Sequence, residues 1–116
     1  MLRKRIDSFG FAFKGIATLF KTQINARIHL TALVIVVGMG FYFKINTNEW
    51  CLIALSCAAV LAAEAMNTAV EFVVDLVSPQ YHELAGRAKD VAAAAVLLMA
   101  FGAICVGLLI FLPKIC

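Results

Sequence analysis

The chain has 116 residues and a net charge of +3, and 64% of its residues are hydrophobic while only 15% are charged. Water-soluble domains average about half apolar and about a quarter charged residues, and a chain this short cannot bury so large an apolar surface in its own core. The composition therefore disfavours a compact soluble bundle and favours a single-domain, all-α integral membrane protein.

The N-terminal segment predicts an amphipathic surface helix over about residues 5–24. The apolar residues that recur there at helical spacing are Phe9, Phe13, Ile16 and Phe20. Such a helix can lie on the cytoplasmic face of a membrane with its apolar side down, or it can pack on the chain's own spans, and the two arrangements are compatible. Phe11 falls among the polar residues, either as an isolated surface aromatic or as a platform for a flat ligand.

Three apolar stretches predict transmembrane helices over about residues 28–45, 49–77 and 88–112. A spanning helix needs about 20 mostly apolar residues. The third stretch meets this requirement without any charge, whereas the second is long enough only if it includes the carboxylates that follow Ala63. Ser78-Pro79 should end the second helix, because proline disfavours helical geometry at the preceding residue. The third helix is predicted to begin near Arg87.

Basic residues predict the orientation. If the N-terminus is cytoplasmic, eight of the ten lysines and arginines lie on that side: Arg3, Lys4, Arg5, Lys14, Lys21, Arg27, Arg87 and Lys89. The positive-inside rule then places the N-terminus inside and the C-terminus outside. The connection from Ser78 to Asp90 is then predicted to lie in the cytoplasm.

The second span contains a row of polar residues in the sequence EAMNTAVEFVVD. Glu64, Asn67, Glu71 and Asp75 are spaced by three and four residues, which places them within roughly 80° of one another on a helix and over about 16 Å of its axis. We call these four residues the polar stripe. An ionised side chain near the middle of a bilayer costs about 2.5–3.5 kcal/mol, so the stripe should face other helices, water or a cation.

The sequence allows three explanations of the polar stripe. The polar groups could form interhelical hydrogen bonds, or they could relay an ion or a proton. Alternatively, the shallower carboxylates could hold Mg²⁺ together with nucleotide phosphates, while the deepest takes a proton from a lipid hydroxyl. His82, Arg87 and Lys89 in the following connection would supply phosphate partners and favour the third explanation. The chain has neither a P-loop nor the glycine loop of protein kinases.

EAMNTAVEFVVD followed by YHELAGRAKD resembles the bacterial diacylglycerol kinase family, which includes undecaprenol kinases. The family pattern is E-x-x-N-[ST]-A-[IV]-E-x-x-x-D, followed by a short loop that contains histidine and ends in Lys-Asp. The resemblance extends over nearly the whole chain. It implies a homotrimer of small subunits in a bacterial cytoplasmic (inner) membrane, each with an amphipathic surface helix and three transmembrane helices. It also implies sites that are shared between subunits, and no nucleic-acid partner.

The resemblance also implies the reaction, transfer of the γ-phosphate of MgATP to the primary hydroxyl of a membrane lipid alcohol. Glu64 matches the catalytic base, Asn67 the residue that orients the reacting groups, and Glu71 a Mg²⁺ ligand. Members of the family commonly carry a second acidic metal ligand, and Gln23 occupies that position here. The amide oxygen of glutamine can bind Mg²⁺, but it contributes no negative charge. The residues implied at the nucleotide are Lys4 (where an arginine can occur), Phe11, Asp75, Gln80, Tyr81, His82, Lys89 and Asp90.

The sequence segments that bear on the lipid substrate resemble two different branches of the family. HELAGRAKD resembles the diacylglycerol-specific branch of the family, whereas NARIHL and NTAVE resemble the undecaprenol-phosphorylating branch. The prediction is an ATP-dependent lipid kinase, with diacylglycerol, which would give phosphatidic acid, slightly favoured over undecaprenol as the substrate. The alternative from another class is a non-catalytic membrane assembly or cation-conducting oligomer, which would not bind ATP.

Overall fold

The computed structural model describes residues 1–116 and confirms the all-α architecture. Four helices follow one another along the chain: α1 (Leu2–Thr22), α2 (Ile24–Tyr42), α3 (Thr47–Val77) and α4 (Glu83–Ile115). The last three are long and apolar enough to cross a membrane. The molecule measures 51 × 41 × 21 Å along its principal axes, which is long enough in one direction to cross a hydrocarbon core of about 30 Å.

A single extended residue, Gln23, separates α1 from α2. The helix α2 therefore begins at Ile24, earlier than the apolar pattern indicated. The Arg27 side chain donates hydrogen bonds from Nε to the Phe20 carbonyl at 2.7 Å and from Nη2 to the Lys21 carbonyl at 2.6 Å. These carbonyls belong to the last turn of α1, where they lack helical partners. Arg27 thus caps α1 and stabilises the bend between the two helices.

The connection between α2 and α3 is short because α2 ends in a Schellman turn. Lys44 adopts a left-handed conformation with φ 52°, Ile45 N–H donates to the Gly40 carbonyl at 3.1 Å, and Lys44 N–H donates to the Phe41 carbonyl at 3.4 Å. The chain then enters α3 through a capping box, in which Asn46 and Glu49 exchange backbone–side-chain hydrogen bonds of 3.0 and 2.9 Å.

Gly40 lies where α2 meets the start of α3, and Gly40→Ala is expected to lower stability by about 1–3 kcal/mol. A Cβ at this position would lie 2.6 Å from Trp50 Cη2 and 3.1 Å from Ile45 Cδ1. Gly38→Ala is the matched control, because a Cβ there meets nothing within 4 Å. Thermal unfolding in detergent should separate the two variants, and an equal shift for both would contradict the close contact.

The helices α3 and α4 form a long antiparallel pair with an ion pair at each end. Lys114 Nζ lies 2.9 Å from Glu49 Oε2 at one end, and Lys89 Nζ lies 2.5 Å from Asp75 Oδ1 at the other. The helix α3 ends at Val77, directly before Ser78-Pro79, as predicted.

The helix α4 begins at Glu83 rather than near Arg87. Its N-cap explains the difference, because His82 Nδ1 accepts a hydrogen bond from the Leu84 N–H at 3.1 Å. A side-chain acceptor at the N-cap stabilises the first helical turn, so the helix extends back into the predicted connection.

Little of the chain is buried within the single subunit. A small apolar cluster, made of Ile45, Ile53, Ile110 and Phe111, packs where the α2–α3 connection meets the end of α4. Most large apolar side chains of α2, α3 and α4 are instead exposed. Such a surface needs lipid or other apolar helices around it, which agrees with a multi-pass membrane protein.

Candidate active site

The polar stripe of α3 becomes steadily less buried toward the C-terminal end of the helix. Glu64 is completely inaccessible and Asn67 is 7% exposed, whereas Glu71 is half-buried and Asp75 is exposed. All four residues share one helical face. The stripe therefore connects a position inside the bundle with the open end where α3 meets α4.

Glu64 is the most unusual residue of the stripe, because neither of its carboxylate oxygens has a hydrogen-bond partner. The nearest basic group is on another helix: His29 Nε2 of α2 lies 3.6 Å from Glu64 Oε2. Thr68 donates its hydroxyl to the Glu64 backbone carbonyl at 2.9 Å and leaves the carboxylate free. Buried polar atoms are normally paired, so an unpaired buried carboxylate marks a site kept for a ligand or a reaction.

Asn67 and Glu71 are joined directly. Asn67 Nδ2 donates to Glu71 Oε1 at 3.3 Å, while Asn67 Oδ1 is buried without a partner. The Asn67 amide thus donates to the Glu71 carboxylate through Nδ2, while its carbonyl oxygen Oδ1 stays free to accept a hydrogen bond.

The open end of the stripe combines charge with an exposed connection. Lys89 is paired with Asp75, Tyr81 is 91% exposed, and the Gln80 carbonyl accepts a hydrogen bond from the Ser78 hydroxyl at 2.9 Å. His82 uses Nδ1 for the α4 cap, so only its Nε2 is available to a ligand. Asp90 is exposed on the first turns of α4.

The three predicted site residues that precede α2 are not bonded to the stripe within one chain. Lys4, Phe11 and Gln23 form no side-chain hydrogen bond or ion pair with it; the Gln23 amide donates instead to the Thr22 hydroxyl at 3.4 Å. Phe11 is exposed, and Lys14 Nζ lies 5.7 Å from its ring centroid. This face of the Phe11 ring therefore already interacts with a cation.

The donors fit a metal ion that arrives with a nucleotide. No group of three His, Cys, Asp or Glu side chains converges in the chain, as a metal cage made by the protein alone would require. Mg²⁺, however, is usually held by one or two carboxylates together with phosphate oxygens and water. The half-buried Glu71 carboxylate is a hard oxygen donor of this kind.

An apolar cavity of about 440 Å³ lies between α2, α3 and α4. Its wall includes His29, the same residue that approaches Glu64. His29 is not among the site residues predicted from the sequence. The available signal was a histidine inside an otherwise uncharged span, since an ionisable residue in such a segment usually has a functional partner.

Comparison with known proteins identifies the family of the chain. The model of the prokaryotic diacylglycerol kinase family matches residues 10–111. The chain belongs to this family. It is 39% identical over 114 residues to the undecaprenol kinase of Bacillus subtilis (strain 168), which covers 98% of this chain and 93% of that protein.

Two relatives carry the name diacylglycerol kinase. The one from Synechocystis is 42% identical over 109 residues, which cover 93% of this chain but only 62% of that protein. The one from Escherichia coli (strain K12) is 32% identical over 93 residues, which cover 80% of this chain and 76% of that protein. The predicted family and enzyme class are confirmed: the protein is a membrane lipid kinase, with ATP as its phosphate donor.

Proposed function

We propose that this kinase transfers the γ-phosphate of MgATP to the primary hydroxyl of a lipid alcohol along the polar stripe of α3. The observation that carries the proposal is the state of Glu64, fully buried with both oxygens unpaired. A deep carboxylate without a partner is suited to a hydroxyl that enters from the bilayer. The more exposed Glu71 and Asp75 are suited to a nucleotide that enters from water.

In the proposed reaction Glu64 is the general base. Its free oxygen accepts the proton of the lipid hydroxyl as the hydroxyl oxygen forms a bond to the γ-phosphorus. The bond from that phosphorus to the β–γ bridging oxygen breaks, and ADP leaves with the bonding electrons. Such transfers depend mainly on positioning and on neutralisation of phosphate charge.

The remaining residues of the site bind and orient the nucleotide. Asn67 holds Glu71 and presents its own carbonyl oxygen to the reacting groups. Glu71 and Gln23 would hold Mg²⁺, which neutralises phosphate charge when it is bound. Lys89 contributes a cation for the phosphates, and the other residues proposed to surround the nucleotide are Lys4, Phe11, Asp75, Gln80, Tyr81, His82 and Asp90.

The lack of bonds from the predicted N-terminal site residues to the stripe supports a shared site. Lys4, Phe11 and Gln23 form no hydrogen bond or ion pair with α3 in one chain, and the long helices expose large apolar surfaces. We propose a homotrimer in which neighbouring subunits complete each site. The helix α1 would lie as an amphipathic helix on the cytoplasmic side of the bacterial inner membrane, with the N-terminus inside.

We propose the class of the lipid substrate, a lipid alcohol, rather than one compound. The relatives named above divide between undecaprenol kinase and diacylglycerol kinase, and both substrates offer a primary hydroxyl on an apolar tail. The deciding experiment measures transfer from γ-labelled ATP to each lipid, at equal mole fraction, in nanodiscs that contain the purified protein. We expect labelled phosphatidic acid or undecaprenyl phosphate, and failure to label either lipid would reject the proposed reaction.

Gln23→Glu is expected to reduce the Mg²⁺ concentration for half-maximal activity roughly tenfold, because a carboxylate adds charge to a ligand position now held by an amide. Asn25→Asp is the matched control, since it adds the same charge two residues away. The measurement is initial rate against free Mg²⁺ at saturating lipid. Equal effects of both changes would indicate general electrostatics and contradict a ligand role for Gln23.

A further inference from the structure

His29 lies between Glu64 and the apolar cavity that α2, α3 and α4 enclose. One side of its imidazole approaches Glu64, with Nε2 3.6 Å from Oε2. It also forms part of the wall of the apolar cavity between α2, α3 and α4. Its side chain is 24% exposed, while that of Glu64 is 1% exposed. His29 is therefore the more accessible member of the pair.

Glu64 has no other side chain to hold its carboxylate. Both of its oxygens lack hydrogen bonds, and the Thr68 hydroxyl is directed to the backbone carbonyl instead. A base that must meet a hydroxyl at hydrogen-bond distance needs a defined orientation, and misplacement by about 1 Å can cost on the order of 100-fold in rate. A catalytic base is commonly oriented by a third group.

We infer that His29 is a positioning residue for Glu64. Nε2–H donates a hydrogen bond to Oε2, which orients the carboxylate and leaves Oε1 free to accept the lipid proton. The present separation of 3.6 Å is slightly long for this bond, and such contacts often shorten when the substrate complex forms. The inference rests on the proposed function, in which Glu64 is the base.

The orientation of α2 supports this assignment. His29 follows the Gln23 break by less than two helical turns, and Arg27 fixes that break through its bonds to the last carbonyls of α1. The position of the imidazole is thus determined by backbone anchors close to it. A residue held in this way can restrict the rotamers of its neighbour at little additional entropic cost.

The test compares three substitutions of His29 by size and donor position. His29→Leu removes the donor and keeps an apolar side chain of similar bulk. His29→Gln places an amide N–H near the position of Nε2, whereas the amide of His29→Asn lies near the position of Nδ1 and is too short to reach Glu64. We expect His29→Leu and His29→Asn to reduce kcat roughly 10- to 100-fold with KM for ATP unchanged, and His29→Gln to recover most of the loss.

Ser56→Ala tests whether the loss of any polar group from the cavity wall lowers kcat. Ser56 lines the same cavity and forms no side-chain hydrogen bond to Glu64, so its loss should leave kcat unchanged. Thermal unfolding in detergent accompanies each variant. If His29 has a purely structural role, His29→Leu, His29→Asn and His29→Gln will each lower kcat in proportion to the stability that the variant loses. This result would overturn the inference.

A double-mutant cycle separates this inference from the proposed function. In the Glu64→Gln background, His29→Leu should cause little further loss, because the base it positions is already absent. Full additivity would overturn the inference and leave the kinase site intact. If Glu64→Gln keeps wild-type kcat, the base assignment fails and the role of His29 fails with it.

Discussion

Glu64→Gln is expected to reduce kcat by about 100- to 10,000-fold, the usual contribution of a general base. Gln preserves the shape of the side chain but cannot accept the proton of the lipid hydroxyl. The same change should leave the melting temperature unchanged or raise it, because an unpaired buried carboxylate is replaced by a neutral group. Activity and stability should therefore change independently or in opposite directions.

The measurement pairs phosphate transfer with thermal unfolding in the same detergent. Glu49→Gln is the matched control on the same helix, since it neutralises an acid at the opposite end of α3, where Glu49 is paired with Lys114. This control should keep near-wild-type kcat. A Glu64→Gln variant with wild-type turnover, or one that loses activity only because it unfolds, would contradict a role as base.

Lys89→Gln is expected to lower kcat/KM for ATP by about 100- to 1,000-fold, because it removes a cation from the developing charge of the transferred phosphoryl group. Stability should change little. Lys89 is 41% and Asp75 62% exposed in their side chains, and exposed ion pairs contribute about 0–1 kcal/mol.

Lys114→Gln provides the comparison that isolates the chemical role. It breaks the other ion pair between α3 and α4, whose side chains are 30% and 19% exposed. Since this pair is less exposed than Lys89–Asp75, its loss should lower the melting temperature at least as much, while activity is retained. Rates at varied ATP, with both variants in the same nanodiscs, test the difference. Equal losses of activity in the two variants would show that Lys89 acts only by fastening the helices.

Several features of the fold follow from local residue patterns. The length and apolarity of the three spans, and the end of α3 before Ser78-Pro79, could be predicted because they depend on hydropathy and backbone sterics. The starts of α2 and α4 could not, since they depend on side chains that cap helix ends. The Arg27 side chain donates hydrogen bonds back to α1, and the His82 side chain accepts one from Leu84. The periodicity of apolar residues does not predict either contact.

The sequence by itself determined that the second span carries a polar stripe on one face, because helical periodicity alone places residues three and four apart together. It also contained the motif that identifies the kinase family. Only the tertiary structure decided how each member is placed: Glu64 buried without a partner, Asn67 beside Glu71, and Asp75 paired with Lys89. The approach of His29 to Glu64 likewise required the packing of α2 on α3, since contacts between helices depend on how they pack and not on spacing along either one.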